Sequence, residues 1–218
     1  MASPKKSAPK KTAARKPAAK SAKPTNKAAS AKKSSAKKSA TPRREVLLAA
    51  PALKSAVAKL CARIAEEFPT PERLLILGIR TRGALLAERI TANLSQHYGV
   101  DVASGILDIT FYRDDLSRLG PNPMVRGSEF PFDLTDSMIV LVDDVLFTGR
   151  TVRAALDEIS DFGRPALIRL AVLVDRGLRE YPIHADYCAV SIPTATNQRV
   201  HVLFDEVDDE DAVVLETV

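Results

Sequence analysis

Two adjacent acids, Asp143 and Asp144, stand where a buried strand is expected to end and a helix to begin. Four apolar residues, 139–142, precede the acids, and the segment TGRT, residues 148–151, follows them. In an open parallel sheet, ligands bind beyond the carboxyl ends of the strands, which is where this order of residues puts the two carboxylates. The helix start offers free backbone N–H groups and the positive end of a dipole, and both suit a phosphate.

The segment from Ile139 to Thr151 combines groups that one simple anion would not explain. Gly149 lets the backbone approach a phosphate, and Thr148 and Thr151 add hydroxyl donors. Two carboxylates would repel a bare phosphate, but they can accept hydrogen bonds from ribose hydroxyls or hold Mg²⁺ through water. A ligand with a ribose between two phosphate groups satisfies both halves. The structural alternative is an acidic turn and a helix N-cap, where Asp and Thr are common for capping alone.

The apolar pattern around this segment predicts an α/β domain with a mostly parallel sheet flanked by helices. A long polar loop with hairpin strands is expected from Asp114 to Asp136, where glycines and prolines are frequent. The predicted helices are Leu53–Phe68, Ala84–Tyr98 and Thr151–Phe162, and the predicted strands are Leu74–Ile79, Val102–Tyr112, Met138–Val142, Leu167–Val174, Tyr187–Ile192 and Val200–Leu203.

Charge divides the chain into two parts. Residues 1–44 carry twelve lysines, three arginines and no acid, a charge of +15, whereas residues 45–218 carry 17 basic and 27 acidic residues, a charge of −10. Residues 1–44 are built from Lys, Ala, Ser, Pro and Thr, which cannot bury enough apolar surface to offset the entropy of ordering. We therefore predict a disordered basic tail over 1–44 and a globular domain over 45–218.

Several classes of site and location are disfavoured. Cys61 and Cys188 are too far apart in sequence for a disulfide framework or a zinc pattern, and His97 and His201 lack metal-ligand spacing. No apolar run is long enough to span a bilayer, and the basic N-terminus lacks the apolar region of a secretory signal. These observations predict a cytoplasmic protein with no membrane partner.

The string Ile139–Thr151 resembles the signature with which type I phosphoribosyltransferases bind phosphoribosyl pyrophosphate (PRPP). Four other segments narrow the resemblance to the PyrR family, whose members are uracil phosphoribosyltransferases that also regulate pyrimidine genes by binding messenger RNA. These segments are LGIRTRG at 77–83, LDITFYRDDLS at 107–117, LVDRG at 173–177 and IPT at 192–194. The match runs from about Leu53 to about Asp209, so the tail lies outside it.

The resemblance assigns roles to individual residues. Asp143 and Asp144 would be catalytic, Thr81 and Arg82 would hold the pyrophosphate, and Arg113 would contact it from the root of a flexible hood loop. The remaining residues implied for PRPP or UMP are Val145, Leu146, Phe147, Thr148, Gly149, Arg150, Thr151, Arg176 and Val200.

Simpler interpretations of some of these residues stay open on the sequence alone. Thr81 and Arg82 could form a tight turn with a surface arginine. Arg113 could join a surface ion-pair cluster with the acids that follow it, and Val200 by itself is typical of a core residue.

The implied reaction is uracil plus PRPP giving UMP plus pyrophosphate, with Mg²⁺ carried by PRPP and no direct metal ligand assigned to the protein. The loop from Asp114 to Asp133 would serve as a lid. The resemblance also implies a homodimer or homotetramer.

The sequence departs from the family at positions that concern RNA. Leu178 replaces a histidine, Val190 replaces a lysine, and Ala58-Lys59 and Ala62 stand where a Thr-Arg pair and a histidine are usual. These changes remove polar and basic groups, and the domain's charge of −10 disfavours a phosphate backbone. Two alternatives follow: a catalytically weak, nucleotide-sensing RNA-binding regulator, or an enzyme that its basic tail tethers to nucleic acid without sequence specificity.

Overall fold

The computed structural model describes residues 43–114, 127–130 and 133–218. The predicted tail therefore lies outside the described residues except for Arg43 and Arg44, which begin the first strand. The helices are α1 (Ala50–Glu67), α2 (Arg82–Tyr98), α3 (Arg150–Phe162) and the short α4 (Asp205–Asp208). The strands are β1 (Arg43–Ala49), β2 (Leu74–Ile79), β3 (Ala103–Leu107), β4 (Met138–Leu146), β5 (Leu167–Asp175), β6 (Tyr187–Ser191), β7 (Gln198–Leu203) and β8 (Ala212–Thr217).

Five strands form a wholly parallel sheet in the order β3-β2-β4-β5-β6. Alternate side chains of its central strands point to opposite faces. Val140 and Val142 pack with α1 and α2, whereas Ile139 and Leu141 pack with α3. Both faces of the sheet are thus covered, which explains why β2 is buried along its whole length. The predicted α/β fold is confirmed.

Helix α2 lies very close to the sheet because glycines stand at two contact points. A Cβ atom at Gly78 would come within 2.5 Å of Ala84 Cα, and one at Gly83 would come within 2.7 Å of the Val142 carbonyl oxygen. Both obstacles are backbone atoms, so a larger residue would push the helix outward. This close packing places the first turn of α2 directly beside the end of β4.

A second sheet was not predicted. It is antiparallel, with the order β1-β8-β7, and it contributes Val202 and Val213 to the core on the α1 and α2 side. Strand β1 was overlooked because its first residues share the basic character of the tail. Strand β8 was overlooked because it follows a run of acids and has no turn signal of its own.

Two element boundaries also differ from prediction. Strand β4 continues to Leu146, four residues past Val142, so both acids lie inside the strand. The predicted strand Val102–Tyr112 was wrong in its second half: β3 ends at Leu107 and a 3-10 turn, Ile109–Tyr112, follows. The Asp108 side chain accepts a hydrogen bond from the Thr110 backbone N–H (3.2 Å) and so caps this turn.

Most of the predicted loop and lid lies outside the described residues. Its return segment, residues 127–130, crosses the free edge of β3, where Ile106 and Glu129 exchange two backbone hydrogen bonds of 2.8 Å. This bridge anchors one end of the predicted lid to the sheet. Among the described residues, no helix combines the length and apolar character needed to cross a membrane.

Candidate active site at the strand ends

Asp143 and Asp144 occupy the carboxyl end of β4, the central strand of the parallel sheet. Asp143 is buried, with 6% of its surface exposed, whereas Asp144 is partly exposed. The Asp144 backbone N–H donates to Asp143 Oδ1 (3.0 Å). Burial raises the pKa of both carboxyls, and the charge of Asp144 raises the pKa of Asp143 further. The pair offers oxygens that accept hydrogen bonds where little water reaches.

The loop after the acids is held in a fixed shape. Gly149 has a φ of +91°, a left-handed conformation that L side chains rarely adopt, and α3 begins at the next residue. The Thr148 carbonyl oxygen accepts hydrogen bonds from the N–H groups of Glu180 (3.0 Å) and Tyr181 (2.9 Å). The loop is therefore braced by the segment that follows β5.

Thr81 and Arg82 lie at the start of α2, next to the acids. Thr81 is exposed, and the Arg80–Thr81 peptide bond is cis. Arg82 Nη2 donates to Asp208 Oδ1 at 2.7 Å, and its positive charge lowers the pKa of Asp144 against the larger effect of burial. The Nε atoms of Arg80 and Arg82 are buried and have no hydrogen-bond partner among the described residues. These N–H donors suit an anion better than a neutral ligand.

Arg113 and Thr151 line a cavity of about 70 Å³ at the start of α3. Arg150 and Asp114 also line it and form an ion pair, and Arg150 Nε donates to Glu180 Oε2 at 2.9 Å. The structure therefore pairs Asp114 with Arg150 across the cavity, and it places Arg113 beside the predicted phosphate cradle. Larger concavities elsewhere, of about 570 and 600 Å³, lie against the edge of β3 and between α1 and α2, and neither is lined by the two acids or by the start of α3.

Arg176 is buried, and its guanidinium contacts other groups of the protein. Its Nε donates to Thr194 Oγ1 (3.0 Å), its Nη2 donates to the Gln198 carbonyl (2.7 Å), and its guanidinium lies 4.0 Å from the centre of the Phe147 ring. Burial lowers the pKa of Arg176. The arginine thus supports Phe147 from behind, and that ring remains 40% exposed at the mouth of the site.

Val200 lies in β7, outside the parallel sheet. It pairs with Leu215 of β8 and packs, half-buried, against the main core. These contacts fit the interpretation of Val200 as a core residue, which the sequence left open. The valine side chain has no polar group with which to bind a ligand. Val145 and Leu146, by contrast, lie in β4 directly after the acids.

Two residues of the site region escaped the sequence analysis. Arg179 donates from Nη1 to the Phe147 carbonyl (2.7 Å) and from Nε to the Ile183 carbonyl (2.9 Å), and it pairs with Asp175. Asp208 holds Arg82. Their partners are distant in sequence or are backbone atoms. The sequence therefore showed an arginine and an acid within polar runs, and nothing in those runs indicated a role at the site.

The parallel sheet carries two acids at the end of its central strand, followed by a glycine turn and the start of a helix. This arrangement is typical of a phosphoribosyltransferase. The family model described as the phosphoribosyl transferase domain matches residues 44–209 of the sequence, and the chain belongs to that family. The fold agrees with solved structures at low identity. The hypoxanthine phosphoribosyltransferase of Trypanosoma cruzi aligns with a TM-score of 0.60 at 17% identity, covering 78% of this chain and 95% of that one. A hypoxanthine-guanine phosphoribosyltransferase from Bacillus anthracis aligns with a TM-score of 0.60 at 18% identity, covering 80% and 98%.

Within that class, the chain is a member of the PyrR family. It is 49% identical over 172 residues to the Bifunctional protein PyrR of Deinococcus deserti, covering 79% of this chain and 94% of the relative. It is 51% identical over 169 residues to the Bifunctional protein PyrR of Thermus aquaticus, covering 78% and 93%. The resemblance drawn from the sequence is confirmed.

Proposed function

We propose that this protein transfers the phosphoribosyl group of PRPP to uracil, giving UMP and pyrophosphate. The observation that carries the proposal is the Asp143-Asp144 pair at the end of β4, with the charge of Arg82 acting on Asp144 and the start of α3 a few residues further along the chain. A ribose with phosphate at one end and pyrophosphate at the other matches this order of groups. Membership of the PyrR family supports the same substrates.

The proposed reaction depends on the positioning of the substrates more than on covalent catalysis by the protein. The bond from the anomeric carbon to pyrophosphate breaks ahead of attack by the uracil nitrogen, so positive charge develops on the ribose ring. Ionised carboxylates at Asp143 and Asp144 would accept hydrogen bonds from the ribose hydroxyls and stabilise that charge. The N–H groups of α3 with Thr148 and Thr151 would bind the 5′-phosphate.

The leaving group would lie at the other end of the site. Thr81 and Arg82 are the groups proposed to bind pyrophosphate there. Arg113, which lines the cavity at the start of α3, is proposed to contact it from the root of the lid. Phe147 offers an exposed aromatic ring near the strand end. The lid predicted from Asp114 to Asp133 would exclude water during the reaction. Uracil itself is proposed to be read by backbone groups.

The donor groups fit a magnesium ion that arrives with PRPP. Among the described residues, no three His, Cys, Asp or Glu side chains are arranged to hold a metal. Two adjacent carboxylates suit an ion that keeps most of its waters and binds the substrate phosphates. When bound, Mg²⁺ supplies positive charge that neutralises the departing pyrophosphate.

Replacing either acid should abolish turnover without unfolding the protein. Asp143→Asn and Asp144→Asn keep the shape of the side chain but remove its charge, so we expect kcat/KM to fall by about a hundredfold or more. The measurement is UMP formation from uracil, PRPP and Mg²⁺. Asp101→Asn is the matched control, because it removes an exposed acid from a loop. Normal turnover in both active-site variants would reject the assignment.

A second candidate is a regulator that binds RNA in response to UMP, and the word "bifunctional" in the relatives' name favours it. Most of the departures from the family face outward: Ala58, Lys59 and Ala62 are exposed on α1, and Leu178 is 41% exposed, whereas Val190 is partly buried in β6. UMP binding without turnover would favour this candidate over the enzyme. Assembly as a homodimer or homotetramer belongs to the same proposal.

A further inference from the structure

The acidic segment after β7 is attached to α2 by two arginines. Six of the seven residues from 205 to 211 are acids. Arg89 pairs with Glu206 (2.6 Å) and Asp211 (2.7 Å), and Arg82 pairs with Asp208 (2.7 Å). Arg82 and Arg89 are seven residues apart, two turns of helix, so both project from one side of α2. Only the Arg82 pair reaches the proposed pyrophosphate end of the site.

Asp208 is itself held in place by the backbone. Its Oδ2 accepts a hydrogen bond from the Phe204 N–H (3.1 Å), and its own N–H donates to the Phe204 carbonyl (2.7 Å). Phe204 is completely buried, so these bonds connect the carboxylate to the core. The side chain of Asp208 is 17% exposed and that of Arg82 is 39% exposed. The acid is therefore the fixed partner and the arginine is the one that could move.

Arg82 interacts with two carboxylates that have different tasks. Asp208 forms its ion pair, and Asp144 lies close enough for the arginine's charge to act on its ionisation. A freely rotating Arg82 would be drawn toward Asp144, whose oxygens the proposed reaction needs for the ribose. A long arginine side chain also loses considerable rotamer entropy when a ligand immobilises it. A fixed acid that pairs with the arginine, as Asp208 does, counters both effects.

We propose that Asp208 is a positioning residue for Arg82, holding its guanidinium at the pyrophosphate end of the site and away from Asp144. The inference rests on the proposed function, since it takes pyrophosphate as the ligand of Arg82. It gives the acidic segment a role in substrate affinity in addition to its role in packing.

Asp208→Asn tests the proposal, with Glu206→Gln as its matched control. The first variant weakens the pair with Arg82, and the second removes an acid of the same segment that pairs with Arg89 and, among the described residues, not with Arg82. We expect Asp208→Asn to raise the KM for PRPP and the inhibition constant of pyrophosphate by about fivefold, a modest effect in keeping with a partly exposed pair. Its kcat and its KM for uracil should stay within about twofold of the wild type. Glu206→Gln should leave all four constants within the same range.

A double-mutant cycle shows whether Asp208 acts through Arg82. In the Arg82→Gln background, Asp208→Asn should cause no further loss of affinity for pyrophosphate, because the residue that it positions is gone. Independent losses in the double variant, or an equal loss in Glu206→Gln, would overturn the proposal and leave Asp208 with a purely structural role.

Binding of inorganic pyrophosphate, measured by calorimetry, separates this inference from the proposed function. Absence of turnover in the wild type would reject the function. Weaker pyrophosphate binding by Asp208→Asn would still support positioning in that case. Equal pyrophosphate affinity of the wild type and Asp208→Asn would overturn the positioning role even if turnover is normal.

Discussion

Asp143 carries a conflict between stability and chemistry. The carboxyl is buried against α2, where a Cβ on Gly83 would lie 3.2 Å from its Oδ1, and burial followed by the charge of Asp144 raises its pKa. In the unfolded chain it would ionise near its ordinary pKa of about 3.9. As the pH rises, the unfolded chain therefore loses this proton before the folded protein does. The protonated carboxyl contributes stability at low pH, and this contribution is lost as the pH rises through the folded pKa.

Asp143→Asn should accordingly stabilise the fold at neutral pH while it abolishes turnover. The amide cannot ionise, so the penalty for a buried charge disappears, and we expect the melting temperature at pH 7 to rise by about 2–4 °C. The gain should shrink as the pH falls and the wild-type carboxyl becomes protonated. Thermal unfolding of both proteins between pH 5 and pH 8 measures this difference. A variant that melts at or below the wild-type temperature at pH 7 would contradict the argument.

Residue order was sufficient to predict the acids but not the residues that support them. The acids and the start of α3 are consecutive in sequence, so the place where strand meets helix could be predicted directly. Arg82 and Asp208 are 126 residues apart, and Arg179 is 32 residues from the Phe147 carbonyl that it binds. Such pairs depend on how distant segments meet in three dimensions, and neither periodicity nor spacing encodes that.

At the scale of elements, the site depends on how closely α2 approaches β4. Gly83→Ala would bring a Cβ within 2.7 Å of the Val142 carbonyl oxygen and 3.1 Å of Asp143 Cα, and neither backbone atom can move independently of the strand. The helix must therefore shift outward and carry Thr81 and Arg82 with it. We expect a loss of about 2 kcal/mol in the free energy of unfolding and a raised KM for PRPP.

Urea unfolding and steady-state kinetics test this substitution together. Gln96→Ala, an exposed position further along α2, is the control and should change neither property appreciably. Unchanged stability in Gly83→Ala would mean that the helix tolerates a side chain at this contact, and the close approach would then not be required.

The strands of the parallel sheet could be predicted from the sequence more completely than those of the antiparallel sheet, and the reason lies in how the two sheets are buried. The strands of the parallel sheet are buried on both faces, so they form continuous apolar runs such as β2, and helices separate them. In the small antiparallel sheet, β7 was predicted but β1 and β8 were not. Strand β1 lies at an edge of this sheet and begins with charged residues, and β8 follows a run of acids. The 3-10 turn after β3 depends on the Asp108 cap, a local competition that an apolar pattern does not reveal.

The whole chain combines a domain of charge −8, residues 43–218, with thirteen positive charges in residues 1–42. Nucleic acid attracts the second part and repels the first. We therefore propose that any non-specific binding of RNA or DNA depends on residues 1–42. Deleting them leaves all eight strands and four helices of the described residues, because β1 begins at Arg43.

Binding to an unstructured single-stranded RNA should be lost when residues 1–42 are removed. Each phosphate contact releases a condensed counterion, so the affinity of the full chain should fall steeply with salt, with a log–log slope of magnitude up to about 9 if all thirteen charges take part. A variant with the tail sequence scrambled at constant composition should bind as the wild type does, since the attraction depends on charge and not on order. Phosphoribosyl transfer should be unaffected by the deletion, because the proposed site contains no residue before Thr81. If the shortened chain kept its affinity, or if UMP strengthened that binding, the acidic domain itself would have to contact RNA. The exposed faces of α1 and the segment after β5 would then be the places to map that contact, in spite of their departures from the family.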